Sequence, residues 1–185
     1  MIIIVSGLPR SGTSLMMKML EAGGIEPLTD EIREADVDNP KGYYEFERVK
    51  GLPEDTSWLA DAEGKAVKVL AELIKHLPEG YHYRVIFILR DLDEIVSSQK
   101  KMMVRRGEDP GVPDGEMRDL LRRYLVSLKR YINRRQDMDV LYVSYNEVLD
   151  EPEEPLGELL DFLGSGIDPA GMRGCVDPKL YRNRG

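Results

Sequence analysis

Residues 2–20, IIIVSGLPRSGTSLMMKML, constrain this chain more than any other stretch. Ile2 to Val5 are apolar without polar alternation, as in a strand buried on both faces of a parallel sheet. They run into Gly7-Leu8-Pro9-Arg10-Ser11-Gly12-Thr13-Ser14. A helical pattern carrying Leu15, Met16, Met19 and Leu20 follows at once and stops at Gly23-Gly24. A strand, a glycine-bounded turn and a helix N-terminus this close together make an anion cradle. The turn's N–H groups and the positive end of the helix dipole converge on one point.

The rest of the chain repeats the alternation. Residues 66–70 (AVKVL) read as a short strand broken by Lys68, and residues 71–76 as a helix ending before Pro78. Residues 84–89 (RVIFIL) read as a second buried strand ending at Arg90. Asp91 and Glu94 then have the spacing of a capping box, opening a helix to about Arg105. Met117, Leu120, Leu121, Tyr124, Leu125, Leu128, Tyr131 and Ile132 mark the clearest amphipathic helix, whose other face is basic and expected to be solvated. Residues 140–143 read as another strand. A helix opens at Glu151-Pro152-Glu153-Glu154-Pro155, packs through Leu156, Leu159, Leu160 and Leu163, and stops at Gly164.

Two stretches lack a period. Residues 26–57 read as a long surface connection with a short helix around residues 31–35, and residues 166–185 as an irregular, basic tail. Within the first, Gly42-Tyr43-Tyr44-Glu45-Phe46 is expected to pack or to line a pocket, because a solvated linker has no need of aromatics. Strands alternating with helices predict one α/β domain over residues 1–185, with three layers (α/β/α) and a mostly parallel central sheet. Ligands in such sheets bind at the carboxyl ends of the strands, where the Gly7–Ser14 turn and Arg90 meet.

Composition narrows the partners. Of 185 residues, 26 are Lys or Arg and 34 Asp or Glu, a formal net charge of −8. That balance disfavours nucleic acid and anionic membrane surfaces, but a few local arginines suffice for a small anion. No apolar run approaches the length of a membrane span. Cys175 is the only cysteine, so no intrachain disulfide forms, as suits a reducing compartment. The first strand starts at residue 2, no leader is expected, and the expected location is cytoplasmic. His76 and His82 are the only histidines and have no metal-ligand spacing, so no metal is expected.

A nucleotide triphosphatase loop is Gly-x-x-x-x-Gly-Lys-Ser/Thr, with the lysine reaching the terminal phosphates. Thr13 stands in that lysine's place, which weakens an ATP-dependent reading, and Arg10 supplies a cation from within the loop.

With Arg90-Asp91 and the Ser98 eight residues beyond Arg90, this loop resembles the sulfotransferase superfamily, a P-loop NTPase-like fold. Residues 140–145, then Asn146-Glu147-Val148-Leu149 through Phe162-Leu163-Gly164, and the looser Arg182-Asn183-Arg184-Gly185, extend the likeness over nearly the whole chain. The resemblance implies 3′-phosphoadenosine 5′-phosphosulfate (PAPS) as co-substrate, adenosine 3′,5′-bisphosphate as product, and no metal. It implies that Arg10, Ser11, Gly12, Thr13 and Ser14 hold the 5′-phosphosulfate and that Arg90 and Ser98 hold the 3′-phosphate. Tyr145 matches the family tyrosine near the adenine, and Arg182 and Arg184 the segment closing over the 3′-phosphate.

The general base departs from one branch of the family. Lys68 matches the lysine of a Lys-x-His pair, whose histidine is replaced by Leu70. Lys68 is then a group that polarises the leaving oxygen. Glu45 matches the glutamate that other members carry after a Gly-aromatic-aromatic segment. A partly apolar site formed by Tyr43, Tyr44 and Phe46 would suit it as a base. Glu47 and His76 are the alternatives. Met102 and Met103 read as helix packing or as the lining of an acceptor pocket, and packing needs fewer assumptions. The acceptor, a small molecule or a glycan-like one, would be set by residues 26–57 and 104–116. Two other readings stay open: a kinase-like ATP-dependent phosphotransferase, and a non-catalytic nucleotide-binding regulator of the same fold.

Overall fold

The computed structural model describes residues 1–30, 44–109 and 111–176. The expected helix around residues 31–35 and the basic tail lie outside them. Four strands form one all-parallel sheet in the order β2-β1-β3-β4: β1 (Ile2–Gly7), β2 (Ala66–Lys68), β3 (Tyr83–Leu89) and β4 (Met138–Ser144). The register sets Val5 beside Lys68, Gly7 beside Ile88 and Leu89 beside Ser144. The carboxyl ends are therefore level, and the residues that leave them start from one edge.

The period of two in β1 divides the core. Ile3 and Val5, with Ile86, Ile88 and Val143, face a cluster built on α1 (Thr13–Ala22), α4 (Tyr145–Asp150), α5 (Glu153–Leu163) and α6 (Pro169–Gly174). Ile2 and Ile4, with Val85 and Phe87, face a second cluster containing Val49, Trp58, Leu59, Ile74, Leu128 and Ile132. That face is covered by three short 3₁₀ helices, Glu47–Gly51, Ser57–Ala62 and Ala71–His76, and by the end of α3 (Asp114–Ile132). Trp58 is fully buried there, and Trp58→Ala would cost about 3–5 kcal/mol.

Three expectations change. The tail is not irregular throughout: Asp168 accepts from the Ala170 N–H and caps α6. Six residues with Pro169 and Gly171 show no period to read. The segment at residues 71–76 is a 3₁₀ helix rather than an α-helix. The apolar face of α3 is not all core, since Leu120 and Tyr124 are exposed and only Leu128 and Ile132 are buried. The first half of α3 does not lie on the sheet. It packs antiparallel against α2 (Leu92–Arg105), held by Arg118–Asp93 at 3.1 Å and Lys100–Asp114 at 2.9 Å. Together they form a helical hairpin.

Candidate functional site

The site begins where β1 ends. A Cβ at Gly7 would lie 2.8 Å from the Ile88 carbonyl oxygen, so only glycine lets the chain leave so close to β3. The turn is then wound through Arg10 at φ 73° and Gly12 at φ 101°. A left-handed residue that is not glycine costs about 1–2 kcal/mol, so Arg10 is held there by its surroundings. The turn closes with the Ser11 N–H on the Leu8 carbonyl (3.1 Å). α1 opens at Thr13 with no side-chain cap and no acidic residue in its first turn. Its positive end is thus not neutralised from within the helix. Ser11 is fully buried in the turn, and its Oγ has no hydrogen-bond partner among the described residues.

Two arginines meet on this turn. Arg10 Nε donates to Ser98 Oγ at 2.9 Å, joining the loop to α2. Arg90 Nη1 donates to the Arg10 carbonyl at 2.9 Å and Arg90 Nε to Glu94 Oε2 at 2.8 Å. The Arg90 guanidinium also lies over the Tyr145 ring, 4.7 Å from its centroid. Tyr145 in turn seats Gly12, where a Cβ would lie 2.1 Å from the ring's Cδ2. Arg90 and Tyr145 thus fix the shape of the loop. Both side chains of the Arg90–Glu94 pair are under one-tenth exposed. Glu94 offsets much of the Arg90 charge, and Arg10 brings a second guanidinium to the turn.

On the other side of the loop stand Ser14, Lys68 and Glu45. Lys68 Nζ donates to Ser14 Oγ at 3.4 Å and lies 4.0 Å from Glu45 Oε1. The Glu45 side chain is about one quarter exposed (24%) and that of Lys68 is largely covered. The aromatic neighbours of Glu45 pack as expected, but in two directions. Phe46 meets Trp58 edge-on at 5.6 Å, whereas Tyr44 packs on the opposite core and donates its hydroxyl to Glu21. Burial, then the Glu21 carboxylate, push the Tyr44 hydroxyl above the usual phenol range, so it remains a donor. Tyr43 lies outside the described residues.

The two reserve bases are placed elsewhere. Glu47 is exposed and pairs with Lys50 at 2.7 Å. His76 is exposed and lies between Lys75 and Leu77, whose carbonyls accept from Tyr131 and Arg135 at the amino end of the sheet. Arg182 and Arg184 lie outside the described residues.

Two members of the site escaped the sequence reading. The expected capping box is only half formed: Asp91 caps the Asp93 and Glu94 N–H groups, but Glu94 does not return the bond. The Asp91 N–H donates instead to Asn146 Oδ1 (3.2 Å), and Asn146 Nδ2 donates to Glu94 Oε1 (3.0 Å). Asn146 thus replaces Glu94 at the cap and releases its carboxylate to hold Arg90. The only sequence signal was a carboxylate four residues after Arg90, which reads equally well as a cap.

Among the described residues, no group of three or more His, Cys, Asp or Glu is placed to hold a metal, and no helix is long and apolar enough to cross a membrane. A shallow groove beside Arg84, Val140 and Phe162 follows the sheet's β4 edge, away from the turn.

Residues 29–169 match the model of a family described as "Sulfotransferase family". Among solved structures, the sulfotransferase domain from the curacin biosynthetic pathway is 14% identical with a TM-score of 0.52, over 100% of this chain and 91% of that one. Sulfotransferase STF9 from Mycobacterium avium is 16% identical with a TM-score of 0.51, over 93% of this chain and 66% of that one. A sugar kinase from a Janibacter species is 18% identical with a TM-score of 0.47, over 91% of this chain and 96% of that one. No curated protein matches the chain.

Proposed function

This chain belongs to the sulfotransferase family, and from that premise we propose that it moves a sulfuryl group from PAPS to a hydroxyl, or an amine, of a small or glycan-like acceptor. The observation that carries it is the junction at Arg10 of the turn with α2 and the end of β3: its side chain reaches Ser98 while its carbonyl is held by Arg90.

The residues fit the co-substrate on a point of local chemistry. A buried hydroxyl without a partner, Ser11 Oγ, sits in the turn that opens an uncapped helix N-terminus. An unmet buried polar group is costly, and an anion oxygen would meet it. Residues 10–14 would hold the 5′-phosphosulfate, and Ser98 with Arg90 the 3′-phosphate. Tyr145 supports this from beneath Gly12 and Arg90. When bound, PAPS supplies the sulfuryl group and departs as adenosine 3′,5′-bisphosphate.

The chain's own residues supply positioning, charge and proton transfer. Arg10 and Lys68 place positive charge beside the turn, where negative charge develops on the departing group. Glu45 removes the acceptor's hydroxyl proton on a carboxylate oxygen, and its partial exposure lets that proton pass to solvent. Lys68 orients the carboxylate from 4.0 Å.

Calorimetric titration with adenosine 3′,5′-bisphosphate tests the reading. Wild type should bind, and Arg10→Ala should bind at least about tenfold more weakly, a loss near 1.4 kcal/mol. No binding by wild type, or equal binding by the variant, would refute it.

A further inference from the structure

Arg90 is held from behind by a chain of hydrogen bonds that the Gly7–Ser14 turn does not supply. Arg90 Nε donates to Glu94 Oε2 at 2.8 Å. The other oxygen of that carboxylate, Oε1, accepts from Asn146 Nδ2 at 3.0 Å. Asn146 Oδ1 in turn accepts from the Asp91 N–H at 3.2 Å. The chain thus runs from the end of β3 to the first turn of α2, across to the start of α4, and back to the residue that caps α2. Its direction is fixed by chemistry. A carboxylate only accepts and a backbone N–H only donates, so the Asn146 amide fits between them one way round.

The consequence falls on the guanidinium. An arginine side chain is long, and left loose its charge follows an anion over several ångströms. Here Glu94 fixes Nε, the Arg10 carbonyl fixes Nη1 at 2.9 Å, and the Tyr145 ring covers one face at 4.7 Å. Two bonds and a stacked ring determine the plane of the group. Nη2 is left without a hydrogen bond among the described residues. Because the buried Glu94 carboxylate offsets the charge, an anion here is held by the direction of the remaining N–H groups more than by diffuse attraction. Asn146 pins the second oxygen of that carboxylate, and so denies Arg90 the freedom to swing with it.

We infer that Asn146 is a positioning residue which, through Glu94, makes the Arg90 grip selective for a phosphate on the 3′ oxygen of the ribose over one on the 2′ oxygen. The inference rests on the sulfotransferase reading. The two isomers of the bisphosphate carry the same charge and the same 5′-phosphate. With the 5′-phosphate seated on residues 10–14, the second phosphate arrives at two different places. A planar fork held in one orientation meets one of them. A loosened arginine would meet both.

The probes are adenosine 3′,5′-bisphosphate and adenosine 2′,5′-bisphosphate, each titrated calorimetrically into the full chain at one salt concentration. Wild type should prefer the 3′,5′ isomer at least about tenfold. Asn146→Asp sets a second carboxylate against Glu94, and Glu94→Gln sets an amide nitrogen against that of Asn146. Each should bring the preference to within about twofold. Combining the two substitutions makes carboxylate and amide trade places. The amide oxygen at position 94 then accepts from Arg90 Nε, and its nitrogen donates to the carboxylate at position 146. That carboxylate still accepts from the Asp91 N–H. The double variant should recover a preference of at least about fivefold. A residue that only stabilises the fold would leave the ratio of the two affinities unchanged. Thermal unfolding shows whether each single variant folds, and where one does not, the double variant decides. Equal binding of the isomers by wild type, a full preference in a folded single variant, or no preference in the double variant would overturn the inference. Failure of wild type to bind the 3′,5′ isomer would instead remove the sulfotransferase reading, and this inference with it.

Discussion

Arg90 at the carboxyl end of the sheet and Arg135 at its amino end are both mostly buried and both tied to a carboxylate, yet they are finished differently. Arg135 holds Asp137 through two bonds, Nε–Oδ1 at 2.7 Å and Nη2–Oδ2 at 2.5 Å. Its Nη1 adds the Leu77 carbonyl at 3.1 Å and the Tyr131 hydroxyl at 2.9 Å. Every nitrogen is engaged, and the cluster ties the end of α3 and the start of β4 to Leu77. Arg90 engages Nε and Nη1, and its Nη2 has no hydrogen bond among the described residues. Around it lie the buried, unpartnered Ser11 Oγ and the left-handed Arg10. One cluster is saturated and stabilises the fold. The other keeps polar capacity in reserve and stores strain, as expected of a binding site.

The largest expected effect falls at the carboxyl end. Glu45→Gln removes the proposed base and should lower turnover about 10²- to 10⁴-fold. The midpoint of thermal unfolding should stay within about 1 °C of wild type, because a change of 1 kcal/mol already shifts such a midpoint by a few degrees. Unchanged turnover would move the base elsewhere. At the amino end the pattern reverses. Arg135→Ala leaves Asp137 and Tyr131 without their donor and should cost about 2–3 kcal/mol in urea denaturation, with turnover unchanged. A comparable loss of turnover would erase the distinction between the two clusters.

The smallest effect is a pH dependence. Hydrogen bonds from Arg135 hold the Asp137 carboxyl below the usual range. A group depressed on folding adds stability above its unfolded value of about 3.9, and that stability is lost as pH falls through the folded value. Asp137→Asn should therefore be less stable than wild type at neutral pH by about 1 kcal/mol, and the difference should close below about pH 4. A gap that persists in acid would contradict the assignment to this pair.

How much the amino-acid order revealed follows the same division. The Gly7–Ser14 turn was legible because strand, turn and helix are contiguous, and the likeness to sulfotransferases extended that to Arg90 and Ser98. The exchange at the Asp91 cap was not legible, since it depends on Asn146, which only the parallel pairing of β3 and β4 brings to Asp91 and Glu94. Nor was the partial exposure of α3, because a hydrophobic period marks an apolar face without saying which part meets a partner. Glu45 and Lys68 stand together because the N–H of Leu28 and that of Asp30 dock this segment onto Ala66 and Glu45, a tertiary contact with no local signature.

The central claim is that the carboxyl-end cluster grips two anions at once, and one comparison tests it most directly. Adenosine 3′,5′-bisphosphate, adenosine 5′-monophosphate and Mg-ATP are titrated into the wild-type protein under identical salt. The bisphosphate should bind at least about tenfold more tightly than either of the others, the 3′-phosphate alone supplying the difference. Equal affinity for the monophosphate, or tighter binding of Mg-ATP, would contradict the account.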